Sequence, residues 1–460
     1  MIKKERLKPG MLPVIIALAW PTMLEQMMQT AVQYIDTAMV GSLGTQATAA
    51  VGATSTVNWL IGSTISAIGV GFLAYISQAF GSGEEDKAKK ASGQAVLAVL
   101  IVGVFFTVLT VAISGRVPVW MHVDKEIQGM ASGYFLILYL PMLFRSASII
   151  FGTILRAAGD TKTPMRVGVF VNLINIFFNF LLIYPTRSVS LPGLHIMLPG
   201  AGWGIRGAAV ASALAYTYGG LAITWKLWNH KKISPRGQSL RPDMQVLRPC
   251  LRVAFPNMLQ RFATSLGYVA FASMINSIGQ IATAAHTIAN TVESAFYIPG
   301  YGMQTAAATL AGNAWGARDK KKLQELARTT IVLEVGLMLL SGSLLFLFAP
   351  QLMQLFSKDE QVIRLGTRVL RMVAVSEPFY GVSIVIEGML QGIGKTMVPF
   401  ICNVSGMWGI RIAGTFVCTQ LLGQGLVSAW GCMIAHNLLL FMLFTVYYGS
   451  GRWKRSLKNG

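Results

Sequence analysis

Ala19-Trp20-Pro21-Thr22-Met23-Leu24 returns later in the chain as Ala254-Phe255-Pro256-Asn257-Met258-Leu259, an offset of 235 residues (256 minus 21). The same offset relates Ser42-Leu43-Gly44 to Ser277-Ile278-Gly279, and Ala79-Phe80-Gly81 to Ala314-Trp315-Gly316. It also relates Leu155, Gly159, Thr161 and Pro164 to Leu390, Gly394, Thr396 and Pro399. Chance matching among Leu- and Ala-rich helices does not hold glycines and prolines in constant register, so the chain is an internal duplication. Further on, Gly202-x-Gly204 meets Gly423-x-Gly425 at an offset of 221 (423 minus 202), which leaves the first half about 14 residues longer near Arg187–Pro199.

The duplicated unit is apolar. Of the 460 residues 53% are hydrophobic and 12% charged, against roughly 25% charged in a soluble globular domain. Runs such as Ala95–Ser114, Val167–Tyr184 and Thr330–Ala349 hold at most one charge each. As helices they are long enough to cross a hydrocarbon core of about 30 Å. The short alternating segments of a transmembrane barrel are absent. Twelve spans follow: 11–40, 50–79, 93–115, 131–155, 164–185, 206–228, 248–277, 284–313, 329–350, 367–391, 398–421 and 425–449. The fold class is therefore all-α integral membrane, twelve helices in two pseudo-symmetric six-helix lobes. The expected division is an N-lobe over 1–228, a cytoplasmic linker over 229–247 and a C-lobe over 248–460. Six passes per half make the repeats parallel, related by an axis along the membrane normal, which suits a two-lobed transporter.

The net charge of +20 raises nucleic-acid binding as an alternative to positive-inside bias, and placement decides for the latter. The N-terminus (Lys3, Lys4, Arg6, Lys8) and every second loop carry the positives: Lys87, Lys89 and Lys90; Arg156, Lys162 and Arg166; Arg318, Lys320, Lys321, Lys322 and Arg328; Lys395. The linker region adds Lys226 to Arg252, and the C-terminus Arg452, Lys454, Arg455 and Lys458. The other side holds fewer: Arg116, Lys125, Arg187, Arg206, Lys358, Arg364, Arg368 and Arg371. Both termini are expected in the cytoplasm of a bacterial inner-membrane protein that binds no nucleic acid. The first span runs past Pro21 into Glu25 and Asp36 without a cleavage signal, and reads as a membrane helix rather than a signal peptide.

Polar side chains at bilayer depth are costly and should face a cavity or the lobe interior. In the first span Thr22, Glu25, Gln26, Gln29, Gln33 and Asp36 share one face. Asn172, Asn175 and Asn179 do so in the fifth. In the eighth the stripe is His286, Asn290, Glu293 and Tyr297, broken by Pro299-Gly300; in the tenth it is Glu377, Tyr380 and Glu387. Interhelical hydrogen bonding is the plain reading of each amide. Solvation near a membrane end is the plain reading of Glu25 and Glu387. Asp36 and Glu293 lie deeper and resist it. Gln29, Gln33, Asn172, His286, Asn290, Glu293, Tyr297, Glu377 and Tyr380 are the candidate lining of a substrate cavity. Arg145, Arg261 and Arg411 also fall within spans and are candidate partners for the carboxylates. The 23 methionines are core fillers first, and would also suit a pocket for varied apolar cargo.

No catalytic apparatus is legible. Gly392-Ile393-Gly394-Lys395-Thr396 resembles the end of a phosphate-binding loop, but the required first glycine is Met389 and no strand precedes it. His122, His195, His230, His286 and His436 lack metal-ligand spacing. Cys250, Cys402, Cys418 and Cys432 read as small buried hydrophobes. Neither an enzyme nor a cofactor is expected, and transport would be driven by an ion gradient. One charge crossing 100 mV supplies about 2.3 kcal/mol.

Leu155-Arg156-Ala157-Ala158-Gly159-Asp160-Thr161-Lys162-Thr163-Pro164 and its degraded copy Leu390–Pro399 resemble motifs of the multidrug and toxic compound extrusion (MATE) family. So do Asp36-Thr37-x-x-Val40-Gly41, Gln78-x-x-Gly81-x-Gly83, Asn175-x-x-x-Asn179 and Gly204-x-x-Gly207-Ala208-Ala209. The resemblance spans nearly the whole chain. It implies a V-shaped fold of two six-helix lobes, a monomer exporting organic, often cationic or amphipathic compounds in exchange for H⁺ or Na⁺. It implies a coupling site at Asp36, with Asn175, Asn179 and Ser212 at matching positions and no other metal. Some members carry acids in the middle of the seventh and tenth helices. Here Gln260–Phe271 has none and Glu377 and Glu387 are displaced, which favours coupling in the N-lobe. A lipid-linked oligosaccharide flippase of the same superfamily is the alternative. Such proteins often have two extra helices and a strongly cationic cavity, against twelve spans and three intramembrane arginines here.

Overall fold

The computed structural model describes residues 10–121, 124–191 and 194–454. Lys3, Lys4, Arg6, Lys8, His122, Arg455 and Lys458 lie outside the described residues. Each of the twelve expected spans is helical. In order they are α1 (Met11–Gly41), α2 (Thr45–Gly81), α3 (Glu85–Ile113), a turn of helix α4 (Val117–Trp120), the pair α5 (Lys125–Tyr139) and α6 (Met142–Ala157), α7 (Lys162–Ile183) and α8 (Gly204–Trp228). Then come α9 (Met244–Asn276), the pair α10 (Gln280–Phe296) and α11 (Ile298–Gly316), α12 (Lys320–Phe356) and α13 (Glu360–Gly392). The eleventh span runs from α14 (Met397–Gly406) through a π-helical stretch, Met407–Ile412, to α15 (Ala413–Phe416) and a second π-turn, Val417–Leu421; α16 (Leu426–Gly449) ends the chain's helices. Among the described residues, eight helical runs, with Met397–Leu421 taken as one, and the pair α5–α6 bent by 50° are long and apolar enough to cross a membrane. The runs α8, α9 and α10–α11 are as long but more polar; α9 carries Arg248, Arg252 and Arg261.

The outward faces are apolar, as lipid demands. On α3, Ile101, Val104, Phe105 and Val108 recur at helical spacing and are all more than half exposed. The extra residues expected as a loop near Arg187–Pro199 instead belong to an antiparallel hairpin, β1 (Pro185–Leu191) paired with β2 (Leu194–Ala201).

By contacts the chain forms two compact units. One comprises Leu24–Phe72 and Glu85–Arg248; within it α8 packs on α5, α6 and α7. The other comprises the residues up to Met23, Leu73–Glu84, and Pro249 onward; within it α13 is the central helix, packed on α10, α11, α12 and α16. α1 and α2 each contribute to both units.

The repeat has a structural meaning at its turns. After α6, Gly159 takes φ +86° and the amide of Asp160 returns to the Leu155 carbonyl at 2.9 Å, a left-handed helix stop that only glycine adopts freely. Asp160 Oδ1 then accepts from the Thr163 amide at 3.0 Å, starting α7. The second copy repeats the stop: Gly394 has φ +80° and the Lys395 amide bonds Leu390 O at 2.8 Å. After α2, Gly83 (φ +77°) makes the same turn; its counterpart after α11 is Arg318, at φ +54°.

Within the second unit, α2 and α11 cross at repeat-related positions. A Cβ on Gly81 would run into the Asn313 carbonyl, and one on Gly316 into the Gln78 carbonyl. Both pairs carry the 235 offset (316 minus 81, 313 minus 78). Gln78 Nε2 also donates to Gly392 O at 2.9 Å. The motif Gln78-x-x-Gly81 is thus a backbone-to-backbone crossing that tolerates no side chain.

Candidate functional site

α1, α7 and α8 bring Asp36, Asn175, Asn179 and Ser212 together inside one unit. Asn175 and Asn179 are one turn apart and buried, at 6% and 1% exposure. Asn179 Nδ2 donates to Asp36 Oδ1 at 2.6 Å and to Asn175 Oδ1 at 3.1 Å, and Asn175 Nδ2 donates to Ser212 Oγ at 3.0 Å. With the Asn175 amide turned over, its nitrogen donates to Asp36 Oδ1 at 2.8 Å and Oδ2 at 3.1 Å and its oxygen accepts from the Ser212 hydroxyl at 3.0 Å, while the bond from Asn179 is lost and the two amide nitrogens face each other at 3.1 Å. A hydroxyl donates or accepts with equal ease, so Ser212 satisfies both orientations. Asn179 Oδ1 is buried without a partner.

This geometry admits two charge states. With the Asn175 nitrogen toward Asp36, the carboxylate receives donors from both asparagines. With the oxygen toward it, two carboxylate oxygens face an amide oxygen at hydrogen-bond distance. That arrangement requires a proton or cation among them. Asp36, the two amide oxygens and Ser212 Oγ form an all-oxygen donor set of the kind hard cations take. Among the described residues no cluster of His, Cys, Asp and Glu suits a transition metal.

The remaining sequence candidates are dispersed. Gln29 and Gln33 are exposed on α1, and Asn172 is half-buried one turn before Asn175. In the other unit His286 is buried, its Nδ1 accepting from Trp430 Nε1 at 3.2 Å with its ring edge-on to Phe271 and Trp430. Asn290 is exposed and Glu293 buried. Tyr297, at the break between α10 and α11, packs edge-to-face on Tyr301 and Tyr380. Glu377 is buried within electrostatic reach of Glu293 and Glu334.

Three readings need correction. Glu387 is not solvated: it accepts from Gln260 Nε2 at 2.9 Å, Gln391 Nε2 at 3.1 Å and Asn403 Nδ2 at 3.2 Å. Glu25 is not simply solvated either, because Arg156 holds it at 2.6 Å. Among the described residues, Arg145, Arg261 and Arg411 form no ion pair with the carboxylates. Arg145 donates to Asn58 Oδ1 at 2.7 Å and lies over Tyr216, Arg261 donates to Asn257 Oδ1 at 2.8 Å, and Arg411 is stacked on Phe271 and Tyr268 from within the π-helical stretch. A guanidinium is weakly hydrated and stacks well on aromatic faces, so rings and amides replace the carboxylates.

Glu334 escapes sequence reasoning. It is fully buried, both carboxyl oxygens lack a partner, and Oε1 would sit 2.9 Å from a Cβ on either Gly300 or Gly381. Its one signal is that it is the lone charge of the Thr330–Ala349 run.

Comparison with known proteins bears on the whole chain. The family model described as MatE matches residues 21–181 and again 256–417. The protein named probable multidrug resistance protein NorM of Thermotoga maritima is 28% identical over 441 residues, covering 96% of this chain and 93% of the relative. The probable multidrug resistance protein YoeA of Bacillus subtilis is 24% identical, covering 97% and 96%. Among solved structures, a multidrug resistance MATE family transporter of the MOP superfamily in an outward-facing conformation superposes with TM-score 0.86 at 23% identity, covering 97% of this chain and 96% of that one. A MOP superfamily transporter from Pyrococcus furiosus, described as having a binding pocket of reverse polarity that suggests a different function, superposes with TM-score 0.87 at 24% identity, covering 97% and 96%. At these identities the structural likeness is one of fold.

Proposed function

This chain belongs to the MatE family, and from that premise we propose that it is a multidrug exporter working as a secondary antiporter, coupled through Asp36. Organic, cationic or amphipathic compounds would leave the cell as H⁺ or Na⁺ enters. Alternating access of the two lobes about the linker would carry the exchange, with both termini in the cytoplasm of a bacterial inner membrane.

The observation that carries this reading is the oxygen-rich cluster of Asp36, Asn175, Asn179 and Ser212, in which the Asn175 amide finds partners in either orientation. When Asp36 is charged, both asparagines donate to it. When a proton sits on Asp36, the carboxyl donates to Asn175 Oδ1 and the Asn175 nitrogen donates to Ser212 Oγ. Na⁺ would instead be held by the carboxylate, Asn175 Oδ1, the partnerless Asn179 Oδ1 and Ser212 Oγ. Either ion changes the donor and acceptor roles that tie α1, α7 and α8 together, and so would bias a two-state bundle.

Dye efflux from proteoliposomes, with Na⁺ and pH gradients imposed separately, tests the proposal. Efflux driven by one of the two gradients supports it and names the ion. Efflux that neither gradient accelerates would sink it.

A further inference from the structure

Between the last turns of α12 and the first turns of α13 lies a groove of about 720 Å³. Phe346, Pro350, Met372 and Val375 give it apolar walls, and Arg364, Arg368 and Arg371 stand along it. Spacings of four and three residues put the arginines on one face of α13, and all three are exposed. At 1.5 Å per residue, Arg371 lies about 16 Å along the axis from the helix start at Glu360. Arg368 and Arg371 therefore stand at the start of the apolar span 367–391, beside the polar turn Ser357–Asp359, where a span meets the headgroup region. Basic side chains at that level are placed to meet anionic headgroups.

The protein satisfies only part of this ladder. Arg364 meets Glu360 Oε1 at 3.2 Å, both side chains exposed. Arg371 donates from Nε to Phe346 O at 3.3 Å and lies over the Phe346 ring. Arg368 forms no ion pair or hydrogen bond among the described residues, and Thr367 Oγ1 is buried without a partner. A soluble anion would need the guanidinium groups but not the apolar walls. A phospholipid uses both, its phosphate on the arginines and an acyl chain in the groove.

We propose that this groove binds the headgroup of an anionic phospholipid, phosphate on Arg368 and Arg371, in the leaflet beside the α12–α13 turn. The site is independent of the transport reading. The test is native mass spectrometry of the full chain, incubated in non-ionic detergent with dioleoylphosphatidylglycerol or dioleoylphosphatidylcholine. Wild type is expected to retain the anionic lipid several-fold better. Arg364→Gln/Arg368→Gln/Arg371→Gln is expected to bring it down to the phosphatidylcholine level, while Lys320→Gln/Lys321→Gln/Lys322→Gln, with the same loss of charge, keeps the preference. Arg368→Gln alone, which removes no bond within the protein, should lose part of the preference and covers the case of a misfolded triple variant. Equal retention of both lipids by wild type would overturn the proposal, as would an unchanged preference in the arginine variants. Equal losses in the lysine variant, or displacement of the lipid by millimolar inorganic phosphate, would do so too.

Discussion

Asp36 and Glu387 each sit among carboxamides, and the amides are used differently. Around Glu387 three nitrogens donate, and that of Asn403 is pinned a second time by Pro399 O at 3.0 Å. All three nitrogens are aimed at the carboxylate oxygens, so the site is organised around the ionised form. Around Asp36 the Asn175 amide can meet the carboxylate with its nitrogen or its oxygen, Ser212 Oγ taking the other end; an amide oxygen is left over at both sites, Asn179 Oδ1 here and Gln260 Oε1 beside Glu387. A carboxylate surrounded by fixed donors supports a structure. One beside a reversible amide has the means to exchange a cation.

The largest expected effect comes from separating these two roles. Coupling between sites typically amounts to about 5–150-fold in affinity. Asp36→Asn is expected to lower gradient-driven efflux by at least about tenfold, with the protein still folded. Glu387→Gln is expected to leave efflux nearly intact and lower thermal stability instead, since hydrogen bonds to a charged group contribute about 1.5–3 kcal/mol. Paired efflux assays and melts in detergent check both. The reverse pattern, a transport-dead Glu387→Gln beside an active Asp36→Asn, would dissolve the contrast.

The next effect concerns the crossing of α2 and α11. Gly81→Ala and Gly316→Ala each press a methyl group into a facing backbone carbonyl. Overpacking of this kind costs about 1–3 kcal/mol. Because the two positions belong to one contact related by the repeat, the losses should be similar, and the double variant should lose less than their sum. Additive or strongly unequal losses would show that the duplication is not symmetric in energy.

Legibility in the sequence follows the same line between regular and particular features. Twelve spans can be read because lipid demands long apolar runs, and the Pro299-Gly300 signal anticipates the break that falls at Tyr297. The bend between α5 and α6 goes unread, although Pro141 marks it, because the surrounding run is continuously apolar. The hairpin at Pro185–Ala201 reads as loop, since extra length alone does not specify pairing. Resemblance leads to the four residues of the Asp36 cluster, but the reversibility of Asn175 depends on ångström distances no pattern encodes. Glu387 is misread because position along a helix does not reveal the amides that Gln260 and Asn403 bring from other helices. Glu334 shares its helix face only with the hydroxyls of Thr330 and Ser341, which read as ordinary small residues in an apolar run.

A smaller effect is expected where the second repeat departs from the first. Arg318 holds the left-handed conformation that Gly83 holds in the matching turn, with Asp319 N returning to Ala314 O at 3.0 Å as Glu84 N returns to Ala79 O at 2.9 Å. A non-glycine residue in that region costs about 1–2 kcal/mol. Glycine gives back about 0.5–1 kcal/mol through its freer unfolded chain. Arg318→Gly should therefore stabilise by about 0.5–1 kcal/mol, seen as a raised melting temperature. A lowered one would mean that the arginine side chain, not the turn, dominates there.

The smallest effect belongs to a contact with no counterpart in the second repeat. Gln94 on α3 holds the linker, its Nε2 donating to Arg241 O at 2.8 Å and its Oε1 accepting from Asp243 N at 3.0 Å, and Lys90 pairs with the Asp243 carboxylate. The Lys90 hydrogen bond, then that from the Gln245 amide, holds the Asp243 carboxyl below its ordinary value of 3.8. A depressed acid contributes stability above its unfolded value, and that stability fades as pH falls through the still lower folded value. At pH 7 Asp243→Asn should melt slightly below wild type, and added salt should narrow the gap because the pair is exposed to solvent. As acid protonates Asp243, the two curves should converge. No gap at pH 7 would assign the linker's attachment to Gln94, which bonds backbone atoms in both proteins, rather than to the ion pair, and would make the clasp a matter of amide geometry, like the cluster around Glu387.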